Sequence, residues 1–109
     1  MDTGEWSKSE KEIARRAFNL AYTKECKAIE EELRKKVSEL HDPKGLWGIH
    51  DYLSEKRRDT DRKYDYRYSV LPSVFASLLY EGWITLVDLK GLSEQKVDNI
   101  KRMAEFAKE

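Results

Sequence analysis

The sequence predicts an all-α fold: a long antiparallel helical hairpin forming a stalk and a small C-terminal helical head. Three observations carry this. Apolar residues recur every three or four positions along two long stretches, with charged residues between them. A single compact break, His41-Asp42-Pro43, separates those stretches. Finally, 109 residues with 39% hydrophobic content and a mean hydropathy of −0.82 leave a modest core, as expected of a long, thin or dimeric molecule.

The first helix opens at Ser7. Ser7 with Glu10, and Ser9 with Glu12, both fit the Ser-x-x-Glu capping box, which satisfies backbone N–H groups left free at a helix start. Ile13, Ala17, Ala21, Tyr22, Cys26, Ile29, Leu33, Val37 and Leu40 then form an apolar stripe uninterrupted by Gly or Pro. The helix reaches about Leu40, roughly 45 Å, and needs a partner along its length. From Tyr22 onward the spacing approaches a heptad seam, which favours coiled-coil-like packing. Cys26, the one cysteine, lies on that seam and reads as a small buried residue.

After the break, Asp42 can cap and Pro43 suits a first helical position, so the chain folds straight back. A second helix, carried to about Ser69, sets Leu46, Ile49, Leu53, Thr60, Tyr64 and Leu71 toward the first. At about 100° per residue, His50 and Arg57 line the edge of this seam, and Trp47, Asp51, Ser54, Arg58 and Asp65 form a stripe turned further outward. Asp51 and Arg57, six positions apart, point about 120° from each other and do not meet within one helix. Two readings of this face remain. A two-fold partner would bring Asp51 to the other chain's Arg57 beside Trp47 and His50; alternatively, the face is a solvated charged surface.

Catalysis is a poorer fit. His50 and Asp51 diverge on a helix, no activated Ser or Cys stands nearby, and His41 and His50 lack metal-ligand spacing. No catalytic residue, cofactor or metal is expected. The 21 basic and 21 acidic residues cancel, so no overall field draws nucleic acid, and no apolar run of about 18 residues would span a bilayer. The opening MDTGEWSKSE has acidic and polar groups where a secretory leader needs basic then apolar ones, giving a cytoplasmic expectation.

In the head, Pro72 interrupts helical hydrogen bonding, so a new helix starts near Ser69 to Pro72 and runs through Val74, Phe75, Leu78 and Leu79 to Gly82. Thr85 and Asp88 cap a short turn ending at Gly91. Ser93 caps a last helix carrying Val97, Ile100, Met103 and Phe106. The run from Leu86 to Leu92 has a slight helix-hairpin-helix character. It lacks the second glycine that would let backbone N–H groups approach a phosphate, so it reads as helix punctuation. The whole is one domain, 1–109, with stalk 7–69 and head 70–109.

Leu46-Trp47, Ile49-His50-Asp51-Tyr52-Leu53-Ser54, Lys56-Arg57-Arg58, Lys63-Tyr64-Asp65-Tyr66-Arg67, Ser69-Val70-Leu71 and Val74-Phe75-Ala76 together resemble the cyanobacterial fluorescence recovery protein family, as do Trp6 and Leu78-Leu79 through Glu81-Gly82-Trp83. The resemblance spans nearly the whole chain. It implies an all-helical homodimer without bond chemistry that binds the orange carotenoid protein, a light-activated quencher of phycobilisome fluorescence, expectedly through that partner's C-terminal domain. The effect implied is a faster return of the red form to the inactive orange form, in the cytoplasm and at the phycobilisome or thylakoid periphery. By motif, the dimer patch maps onto Trp6, Leu46, Trp47, His50, Asp51, Leu53 and Arg57, and a partner-binding surface onto Val74, Phe75, Lys101 and Arg102 of the head. The chain departs from the family pattern at Gly48, Thr60, Arg62 and most clearly at Pro72-Ser73, where two large apolar residues are usual. That departure keeps open an adaptor role toward a different protein partner.

Overall fold

The computed structural model describes residues 5–107 and is helical throughout: α1 (Lys8–Ser38), α2 (Pro43–Lys63), α3 (Leu71–Glu81), a 3₁₀ turn (Leu86–Leu89) and α4 (Glu94–Ala107). The radius of gyration is 16.9 Å and the molecule measures 60 × 30 × 21 Å. A compact chain of about 100 residues would have a radius near 13 Å. The elongation comes from α1, whose 31 residues contain no helix breaker.

Ser7 caps α1 as expected: its Oγ accepts from the Glu10 N–H at 3.2 Å, and Glu10 Oε1 accepts from the Ser7 N–H at 3.0 Å. Asp42 Oδ1 accepts from the Gly45 N–H at 2.7 Å and Pro43 opens α2, closing the hairpin. Gly82, at φ 86°, ends α3 in a left-handed conformation that only glycine adopts without strain. Thr85 and Asp88 cap the 3₁₀ turn, and the Lys96 N–H donates to Ser93 Oγ at 3.2 Å to start α4.

One core joins both ends of the sequence. Ala14, Ala17, Phe18 and Ala21 of α1 are buried with Leu71, Val74, Phe75 and Leu78 of α3, Ile84, Leu89 and Leu92 of the connecting segment, and Ile100 and Ala104 of α4. The first half of α1 therefore belongs to the head's core, with small alanines letting the head approach its backbone. The second half of α1 has only α2 beside it. Tyr22 and Val37 remain about half exposed, and Thr60 is the only residue of α2 that is buried.

The structure shortens the second helix. It ends at Lys63, not near Ser69, and Tyr64 to Arg67 run without helical structure. Aromatic packing outweighs helix continuation here. Tyr64 and Tyr66 each meet the Phe18 ring edge-on, with centroids 5.3 and 4.9 Å away, and the Arg15 guanidinium lies 3.5 Å over the Tyr66 ring. Tyr68 continues the row against Trp6 at 5.7 Å. Asp65 consequently leaves the outward stripe of α2 and pairs with Arg67 at 2.6 Å, which holds its carboxyl below the usual range.

Candidate functional site

The face of α2 pointing away from the core carries Leu46, Trp47, His50, Asp51, Leu53 and Arg57 together. Trp47 is 63% exposed and Leu46 50%, which is unusual for large apolar side chains on a helix that already has a partner. The Trp47 and His50 rings meet edge-on with centroids 6.4 Å apart, and His50 Nδ1 lies 3.5 Å from Asp51 Oδ1. Arg57 turns along its own helix, donating from Nε to Asp61 Oδ2 at 2.9 Å; this hydrogen bond raises its pKa.

Beside this face the hairpin leaves an open groove of about 630 Å³, lined by Tyr22, Cys26 and Ile29 from α1 and by His50, Leu53 and Arg57 from α2. A second hollow of about 460 Å³ is lined by Phe18, Asn19, Tyr22, Thr60, Asp61 and Tyr64. Tyr22 lines both. Its hydroxyl pKa is raised, first by the side-chain hydrogen bond with Cys26. The arrangement offers no nucleophile activated by a base. Among the described residues no His, Cys, Asp and Glu cluster that could hold a metal is present, and no helix is long and apolar enough to cross a membrane. What the face offers is aromatic and aliphatic area ringed by charge, the composition of a protein interface.

The resemblance also placed Trp6 in this patch, but the structure seats it elsewhere. It is buried in the core, with the Lys96 ammonium 5.1 Å from its ring centroid and Tyr68 alongside. Val74 is 7% exposed and Phe75 0%, because their side of α3 packs into the core, so neither presents a surface to a partner in this conformation. Lys101 and Arg102 are exposed on α4.

The turn before α4 is already occupied. The Ser93 N–H donates to Glu10 Oε2 at 2.8 Å, and Lys96 Nζ lies 3.5 Å from Glu10 Oε1 and 2.7 Å from the Glu5 carbonyl oxygen. A carboxylate of the chain thus sits where a helix-hairpin-helix element would receive phosphate. Burial alone would raise the Glu10 pKa, but the Ser7 and Ser93 N–H groups and Lys96 outweigh it and hold it below 4.5.

Sequence reasoning missed the joint between hairpin and head. Lys63 Nζ donates to Glu25 Oε2 on α1 at 2.8 Å and to Glu81 Oε1 on α3 at 2.7 Å, and the Tyr64 hydroxyl donates to Glu25 Oε1 at 2.8 Å. Trp83 Nε1 also reaches Glu81, at 3.1 Å. Burial opposes the charge on Lys63, yet the two carboxylates raise its pKa; burial and then Glu25 raise that of Tyr64. The alternation Lys-Tyr-Asp-Tyr-Arg-Tyr over 63–68 was the available signal, since period two marks an extended strand rather than a helix.

Comparison with known proteins agrees with the all-helical fold. The profile of a family described as photoprotection regulator fluorescence recovery protein matches residues 6–104. The fluorescence recovery protein of Synechocystis sp. PCC 6803 is 37% identical over 99 residues, 91% of each chain. The solved structure of the Fremyella diplosiphon fluorescence recovery protein superposes with a TM-score of 0.89 at 40% identity, covering 93% of this chain and 99% of that one. The Synechocystis structure gives the same TM-score and coverage at 37% identity. The all-helical architecture and a match running almost from end to end lead to one conclusion: the chain belongs to the fluorescence recovery protein family of cyanobacterial photoprotection regulators.

Proposed function

We propose that this protein is a homodimeric, non-enzymatic regulator that binds the photoactivated orange carotenoid protein, through that partner's C-terminal domain, and accelerates its return to the inactive orange form. Phycobilisome fluorescence is thereby restored. The observation that carries the reading is the family match across residues 6–104, which includes the whole α2 face and the head. The exposed Leu46 and Trp47 supply the dimer surface, and Lys101 and Arg102 of α4 supply charge for the partner. The work is done in the cytoplasm, where phycobilisomes lie.

Acceleration without bond chemistry needs only differential affinity. A regulator that holds the closing carotenoid protein more tightly than its open red form lowers the barrier between them and is not consumed. The test is to mix the purified protein with photoactivated orange carotenoid protein and time the dark return to orange. A rate that rises with added protein is expected; an unchanged rate refutes the reading.

A second reading keeps the dimer and changes the partner. It is favoured by Pro72-Ser73 in the first turn of α3, where Ser73 is exposed in place of the large apolar residue usual in the family. In that case the return rate stays unchanged while the protein still sediments as a dimer.

A further inference from the structure

We infer that the aromatic row at the joint of stalk and head is a route for an oxidising equivalent: an electron vacancy opened at Trp6 or Tyr68 passes to Tyr64 and rests there as a neutral tyrosyl radical. This activity needs neither a dimer nor a protein partner. The rings stand in series. Trp6 lies 5.7 Å from Tyr68, centroid to centroid, and Tyr68 lies 5.6 Å from Tyr66. Tyr66 and Tyr64 both meet Phe18, at 4.9 and 5.3 Å. Every gap falls within ordinary ring packing, close enough for an electron to step from ring to ring, with Phe18 as a bridge between two more easily oxidised phenols. One end is reachable from solvent, since Tyr68 is 37% exposed, whereas Trp6 is buried.

Charge gives the row a direction. A ring that loses an electron becomes positive, and a cation beside it opposes that loss. The Lys96 ammonium stands 5.1 Å from the Trp6 centroid, the Lys11 ammonium 5.0 Å from that of Tyr68, and the Arg15 guanidinium 3.5 Å from that of Tyr66. Tyr64 is placed differently. Its hydroxyl donates to Glu25 Oε1 at 2.8 Å, and the cation near its ring, Lys63 at 5.6 Å, is bonded to both Glu25 and Glu81. Tyr64 fills the vacancy upstream with one electron as its O–H bond breaks and the proton bonds to the Glu25 carboxylate. The ring is left neutral, so no new charge is buried on it. The Tyr66 hydroxyl faces the Lys11 carbonyl oxygen at 3.5 Å, and that of Tyr22, 5.1 Å beyond Tyr64, is hydrogen-bonded with Cys26; neither neighbour is a carboxylate. The vacancy therefore stops at Tyr64. The oxidant is a diffusible peroxyl radical, which takes one electron at Tyr68 and a proton from the buffer to become a hydroperoxide. The buried indole of Trp6 is thereby spared.

The test makes Trp6 the sole tryptophan, in the full chain carrying Trp47→Phe and Trp83→Phe. Light absorbed by indole and not by phenol ejects an electron from Trp6, and a cobalt(III) pentaammine complex captures it. Transient absorption and electron paramagnetic resonance follow the radicals, and circular dichroism confirms helix content. The tryptophanyl signal is expected to decay as a long-lived tyrosyl signal rises, more slowly in deuterium oxide because a proton moves with the electron. Tyr64→Phe keeps the ring packing and is expected to abolish the long-lived signal. Glu25→Gln keeps a hydrogen-bond acceptor but withdraws the base, and is expected to shorten the life of that signal. A tryptophanyl radical that decays with no tyrosyl rise overturns the route. A long-lived tyrosyl signal unchanged by Tyr64→Phe overturns Tyr64 as its end, and one indifferent to both Glu25→Gln and deuterium oxide overturns the proton transfer. The solvent comparison alters no residue of the row, so it decides the matter should either variant fail to fold.

Discussion

Gly91→Ala tests the way the head sits on α1. Gly91 has φ 106°, and a Cβ added there would lie 2.5 Å from Ile13 Cδ1. Two costs follow. A left-handed conformation costs a non-glycine residue roughly 1–2 kcal/mol. The atom met, Cδ1, is the far end of the half-buried Ile13 side chain and moves with χ2, so turning it aside adds about 0.5–1.5 kcal/mol. The total is about 1.5–3.5 kcal/mol, on the order of 8–18 °C in melting temperature for a domain of this size. Gly82→Ala is the internal control: φ is 86° and nothing lies within 4 Å of the added Cβ, so only the backbone cost of roughly 1–2 kcal/mol applies. Urea unfolding followed by circular dichroism at one fixed protein concentration measures both, since association shifts apparent stability. Adding Ile13→Val removes Cδ1 and should bring the Gly91→Ala penalty down to that of Gly82→Ala. Equal losses for the two glycine variants, with no relief from Ile13→Val, would refute the contact between the turn and α1.

Other expectations extend along the molecule. Leu46→Glu puts a charge at the centre of the exposed α2 face and should convert dimer to monomer at micromolar concentration with helix content unchanged, as read by sedimentation and circular dichroism. Lys63→Met leaves Glu25 and Glu81 facing each other without their cation; a loss of about 1–3 kcal/mol is expected in urea unfolding, and Lys63→Arg should recover part of it. Glu10 has a lowered pKa, so its contribution is fully present above the ordinary value of 4.5 and disappears as pH falls through the lower folded value; Glu10→Gln should flatten that acid limb of the stability profile. Phe75→Ala should cost about 3–5 kcal/mol, because a fully buried ring leaves a cavity, and an unfolding midpoint near that of wild type would contradict its place in the core.

Much of this fold could be read from local chemistry. The Ser7–Glu10 box, Asp42-Pro43, Gly82, the Thr85–Asp88 box and Ser93 each act within a few residues of themselves, and each terminates or starts an element where the spacing said it should. What the sequence hid is long-range. Phe18 draws Tyr64 and Tyr66 out of the helix; the period-two alternation over 63–68 marks an extended segment, but the Phe18 ring that it packs on lies more than forty residues away in the chain. Val74 and Phe75 show the same limit, since an apolar pair reads equally well as core or as contact surface until α1 and α4 are in place. Helix geometry alone puts Trp47 and Asp51 on the outside of α2, whereas the neighbours of Trp6, Tyr68 and Lys96, come from far along the chain and no local pattern points to them.

The unequal burial along α1 has a consequence for how the protein opens. Its first half is locked under three other elements, and its second half is covered only by a helix that buries a single threonine. Amide protons of one continuous helix should therefore exchange at very different rates, slowest near Ala14 to Ala21 and fastest beyond Leu33, with proteases entering first near His41. With a second copy packed on α2, as in the homodimer proposed above, exchange at the hairpin tip slows as protein concentration rises, while exchange near Ala14 to Ala21 stays unchanged.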